Sequence, residues 1–129
     1  MAVDLNNALA DDILDLLDTA FPAGSILELR TAAPAGAENA AGGVLLASIT
    51  LPATPWAAAS AGSKSKNGTW ADTAVAAGTI GHWRLKNPAD TRRLEGLASA
   101  AGGGGEVIVN NLVTAIGQAV VVDTFAIYL

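Results

Sequence analysis

A single histidine, His82, and no cysteine restrict the chemistry this chain can carry. Without thiols there are no disulfides, thiolate metal sites or cysteine nucleophiles. One imidazole is too few for a zinc motif built on two histidines or for a relay that needs a second. Carboxylates are the next candidates, and Asp4, Asp11, Asp12, Asp15 and Asp18 crowd the N-terminal segment. Oxygen cages need ligands converging from a loop, whereas carboxylates along a helix diverge into water. That face is expected to be solvated, and no metal or cofactor is expected. Glu95 and Glu106 have no spacing that fixes a glycosidase pair. The loop Gly62–Gly68 lacks the Gly-Lys-Ser/Thr step into a helix that a phosphate loop requires. The run Gly102–Gly105 does not lead from a strand into a helix, so a dinucleotide reading has no geometric basis. It reads as a loop that needs unusual φ values or passes close to a neighbour.

Three tryptophans remain. Exposed, they would stack on sugar rings; buried, each covers 150–250 Å² and anchors a core or an interface. Trp83 shares a face with Leu85 and is expected in the core. Trp56 and Trp70 stay open between core, partner contact and a carbohydrate platform. His82 shares the opposite face with Arg84 and Lys86 and is expected at a surface or interface. Asn67-Gly68-Thr69 matches the glycosylation sequon, but the acidic N-terminus lacks the basic region of a secretory signal, so a turn is expected.

The elements that must position these residues divide the chain in two. Residues 1–24 form an amphipathic helix and hinge. Leu5, Leu9, Ile13, Leu16 and Leu17 recur at helical spacing and make one apolar stripe, with Leu14 outside it. Asp4 or Asn6 can cap the start, and Pro22 and Gly24 end the helix. A helix this short is marginal alone in water, so the stripe must be covered. Its own domain or a neighbouring protein could cover it, and the lean is to the neighbour.

From Ser25 the period changes to two. Strands are expected at 25–31, 44–51, 69–76, 79–86, 92–97, 106–110, 112–115 and 119–129, with Trp56–Ser60 either a short strand or one helical turn. Asn67-Gly68 is the strongest local hairpin signal. Asn87–Asp90 is a turn by mechanism, because proline fixes φ and Asn/Asp bond their own backbone. Short strands with Gly/Pro turns predict a mainly β fold: an antiparallel β-sandwich or jelly-roll-like domain over 25–129, with one N-terminal α-helix.

At 129 residues the chain is long enough for one real core. Its net charge of −5 argues against nucleic acid, which needs a basic face. No apolar run approaches the roughly 18 residues of a membrane span, so no membrane partner is expected. Hydrophobic residues make up 51% and charged residues 15%, against roughly 25% charged in an ordinary domain. Such a chain is expected to bury surface against partners, itself included.

The segments Leu45–Leu51, Trp56–Ser60, Gly78–Lys86, Arg93–Gly96, Gly104–Val107 and Ile116–Val122 together resemble a group of small virion structural proteins of tailed bacteriophages, similar to capsid decoration or cement proteins. The resemblance covers about residues 25–129 and leaves the acidic helix outside it. It implies a sandwich or jelly roll, no catalysis, and a homo-oligomer (dimer or trimer) bound to the major capsid protein or another virion protein. It also implies a place in the virion capsid after assembly in the host cytoplasm. A head–tail or tail-fibre component is the alternative within the virion. A carbohydrate-binding module using Trp56 and Trp70 is the alternative outside it.

Overall fold

The computed structural model describes residues 3–129. It is mainly β, with 39% strand against 10% helix, and a curled, mostly antiparallel sheet forms a half-barrel consistent with a β-sandwich. Helix α1 (Asn7–Asp15) and the single turn α2 (Leu17–Ala20) precede ten strands. These are β1 (Ile26–Arg30), β2 (Leu45–Thr50), β3 (Ser63–Ser65), β4 (Trp70–Thr73), β5 (Gly78–Thr79), β6 (His82–Lys86), β7 (Arg93–Ser99), β8 (Val107–Val109), β9 (Val113–Thr114) and β10 (Ala119–Tyr128). The main sheet runs β2-β1-β6-β7-β8-β10-β3, β4 also pairs with β10, and β5 and β9 make a separate pair. The curl brings its ends together: Val75 N–H, just past β4, donates to Leu46 O of β2 at 2.8 Å.

The core lies inside the curl. Trp56, Trp70 and Trp83 converge on Phe125, with ring centroids 5.4, 5.4 and 4.8 Å from it. Leu27, Leu29, Leu46, Ile49 and Leu85 fill the space around them and are fully buried. The expected core positions Trp83 and Leu85 are therefore inside, and Trp56 and Trp70 join them.

The outer face of the central strands is covered as well, which corrects the reading of His82. Its side chain is buried, and so is that of Arg84. The loop 32–43 folds back over this face. His82 Nδ1 lies 2.9 Å from Ala32 O; a carbonyl only accepts, so Nδ1 carries the proton. Arg84 donates to Gly36 O at 3.0 Å and Asn39 O at 2.8 Å and pairs with Glu95, whose other oxygen accepts from Gly36 N–H at 2.9 Å. The loop is thus tied to the sheet by a buried ion pair, and period-two alternation breaks down because both faces of β6 are covered.

Two turns depart from the local signals. Asn67-Gly68 does not make a hairpin. β3 and β4 run end to end along β10, and residues 67–69 form a bulge where three residues stand opposite Asp123 and Thr124. Asn67 is drawn aside, its N–H to Pro55 O and its side-chain amide to Thr54 O. The hairpin is instead at Ala61-Gly62, between Ser60 and Ser63, which exchange both backbone hydrogen bonds. Both central residues have positive φ, 52° and 76°, as a type I′ turn demands.

The glycine run resolves as close passage and unusual φ together. β7 and β8 are parallel although only seven residues separate Ser99 from Val107, a far shorter link than a usual crossover. Gly102 turns with φ 85°. A Cβ on Gly103 would lie 2.4 Å from Ser99 Cβ, and one on Gly105 would lie 2.4 Å from Leu97 O.

Candidate interaction surface

The N-terminal helix is held against its own domain, but not through the stripe that its sequence suggests. Asn6 caps it, its side-chain oxygen accepting from Leu9 N–H at 3.0 Å. The residues buried on α1 are Ala10 and Leu14. Leu14 is the leucine that falls outside the expected stripe. Of that stripe, Leu17 packs partly against the core and Leu5 is half-buried. Leu9, Ile13 and Leu16 stand in solvent at 48%, 40% and 65% exposure. The helix is rolled about its axis so that the apolar stripe lies along one flank.

The opposite flank explains the roll. Asp11, Asp15 and Asp18 repeat at spacings of four and three, which places them on one strip of helix surface. Asp15 and Asp18 keep 45% and 53% of their side chains exposed, as a solvated face would, but the strip is also tied to the domain. Asp11 accepts from Gly62 N–H at 2.7 Å, at the tip of the Ala61-Gly62 turn. Asp15 accepts from Ala59 N–H at 2.9 Å and from Lys64 Nζ at 2.7 Å, and Asp18 lies 3.0 Å from the same Nζ. The Lys64 side chain is completely buried, so its charge needs these two carboxylates. Burial pushes the Lys64 ammonium down, but the hydrogen bonds to Asp15 and Asp18 outweigh it and hold its pKa above the ordinary lysine value. The Lys64 hydrogen bond, followed by the Ala59 N–H, holds the Asp15 carboxyl below its usual range. The cluster of five aspartates was legible in the sequence; which three of them bond the domain, and Lys64 as the partner of Asp15 and Asp18, were not.

Trp56 and Trp70 do not lie on this surface. They are 5% and 0% exposed, their rings meet edge to face at 5.2 Å, and Trp56 Nε1 donates to Phe21 O at 2.9 Å. Neither can present a ring face to a sugar or a partner. This corrects both their partner-contact reading and the basis of the carbohydrate alternative.

The concavities elsewhere are shallow. Two adjoining grooves of about 240 and 380 Å³ flank the outer face of β10 at Thr124, Ala126 and Tyr128. A third, of about 420 Å³, lies between Asp18, Pro22 and Pro55. Among the described residues no three His, Asp or Glu side chains are grouped to hold a metal ion, and no helix is long and apolar enough to cross a membrane. What the arrangement offers chemically is adhesion: an apolar helix flank held in place by the flank opposite. Compared with protein-family models, curated proteins and solved structures, the chain matches none.

Proposed function

We propose that this is a non-enzymatic virion structural protein that binds and stabilises a capsid lattice, a decoration or cement protein. One observation carries the reading: Leu9, Ile13 and Leu16 stand in solvent on a helix that ion pairs and a buried leucine hold to the domain. An adhesive protein needs apolar surface presented without a large ordering cost on binding, and a pre-docked helix supplies it. The β domain is the base behind it, with the loop 32–43 tied down by Arg84 and Glu95. The sequence segments that resemble small tailed-phage virion proteins support the same reading. The partner is then the major capsid protein or another virion protein, and dimers or trimers of this chain would repeat the contact over the lattice.

Co-sedimentation of the purified protein with empty, expanded phage heads and with unexpanded shells tests this. Binding that saturates at many copies per head is the expected result. One or a few copies per particle would assign the protein to the head–tail junction or a fibre instead. No binding to either particle would overturn the reading.

A further inference from the structure

We infer that the exposed flank of α1 receives an apolar surface rimmed by lysine and arginine on a different protein, not a second copy of this chain and not a lipid surface. The inference rests on the adhesive reading of this helix, and it names the chemistry of the partner.

Charge placement carries it. Of the twelve acidic residues, five lie between Asp4 and Asp18, and no lysine or arginine accompanies them there. The other seven acidic residues and all seven lysines and arginines follow Ser25. The β domain is therefore neutral, and the whole −5 of the chain belongs to the helical segment. Lys64 offsets one of those charges. Asp12, three residues from Leu9 and four from Leu16, is the next position around the helix from the stripe. It is exposed, as is Asp4, and neither is in an ion pair among the described residues.

An occupant must therefore cover Leu9, Ile13 and Leu16 and tolerate carboxylates at the margin. A second copy bringing the same helix would set aspartate against aspartate. Its β domain offers little better: Arg30, Lys64, Arg84, Lys86 and Arg93 are all in ion pairs. Lys66, just past β3, and Arg92, just before β7, are the two cations outside ion pairs among the described residues. An anionic membrane surface would repel the segment. A foreign apolar surface with a basic rim satisfies both features, with opposite charges steering the approach.

The full-length protein is titrated with two fluorescent amphipathic helical peptides, one of leucine and lysine and one of leucine and glutamate. Phosphatidylcholine vesicles with and without phosphatidylglycerol are added as lipid probes. Binding to the leucine–lysine peptide alone is expected. Leu9→Ser/Ile13→Ser/Leu16→Ser leaves the charge unchanged and should weaken it at least about tenfold. Asp4→Asn/Asp12→Asn leaves the stripe intact and should weaken it severalfold and flatten its salt dependence. If the triple variant loses helix by circular dichroism, Leu16→Ser alone decides. Equal binding by the serine variant would mean charge attraction only and would overturn the inference. Vesicle uptake would overturn it too, as would loss in the serine variant of an oligomer that the parent forms in sedimentation. The phage heads separate the two readings. If the parent and the serine variant bind heads equally, capsid binding stands by another surface, and the adhesive helix and its partner chemistry fail. If the parent ignores heads yet takes the leucine–lysine peptide through the stripe, the capsid reading fails alone.

Discussion

Leu14 and Leu16 are two residues apart on one helical segment, and the structure gives them opposite environments at 3% and 65% exposure. The same substitution at both, Leu→Ala, therefore isolates the helix roll, because the helix-propensity and unfolded-state contributions largely cancel between them. Leu14→Ala removes three buried carbons at about 0.8 kcal/mol each. The cavity left adds to this, so a loss of about 2–4 kcal/mol is expected. Leu16→Ala removes carbons that water already reaches and should cost less than about 1 kcal/mol. Urea unfolding at 25 °C resolves that difference. In a thermal scan Leu14→Ala should lower Tm by roughly 10 °C while Leu16→Ala moves it by a few degrees. An equal or larger loss for Leu16→Ala would mean that the apolar stripe, not its neighbouring face, packs on the domain, and the interaction surface would disappear with it.

Four further outcomes follow from the contacts of the helix, the core and the loop 32–43. The depressed pKa of Asp15 gives stability that is present above the ordinary carboxylate value and is lost as pH falls through the lower folded value; Asp15→Asn should therefore flatten the acid limb of a stability–pH profile below roughly pH 4. Lys64 works at the other end, contributing below the ordinary lysine value and losing its contribution as pH rises through its raised one, so Lys64→Met should remove that alkaline loss. Trp83→Ala, at a fully buried site against Phe125, should cost about 3–5 kcal/mol in the same urea assay, and Leu85→Asp should prevent stable folding; unchanged melting for both would place them on the wrong face. Glu95→Gln leaves Arg84 without its buried counter-charge and should raise hydrogen exchange in the loop 32–43 well above that of β1, whereas equal protection would show that the strap does not depend on the pair.

The mainly β class, the single helical segment, a cap at Asp4 or Asn6 and the β6–β7 hairpin around Asn87–Asp90 were legible in the sequence because each has a local cause. Alternation of period two, a side-chain cap and a proline turn act within a few residues. Asn87 illustrates it: its side-chain oxygen accepts from Thr91 N–H at 2.8 Å and Arg92 N–H at 3.0 Å, all inside one turn. Other features needed partners distant in sequence. Helical periodicity grouped five apolar residues, of which Leu9, Ile13 and Leu16 share an exposed flank, but the roll of the helix is set by Lys64, whose buried charge demands Asp15 and Asp18, forty-nine and forty-six residues away in the chain. Asn67-Gly68 has the local chemistry of a hairpin, yet continuous pairing with β10 and hydrogen bonds to Thr54 and Pro55 make it a bulge. Ala61-Gly62, a weaker signal because alanine resists positive φ, becomes the turn where Asp11 and Leu129 both bond Gly62. His82 and Arg84 read as surface residues by alternation, and only the loop 32–43 folding over β6 buries them. Local rules assign most elements their type; the buried charge of Lys64 decided which flank of the helix stays in solvent, and a covering loop decided that both faces of β6 are buried, because each acts across the fold.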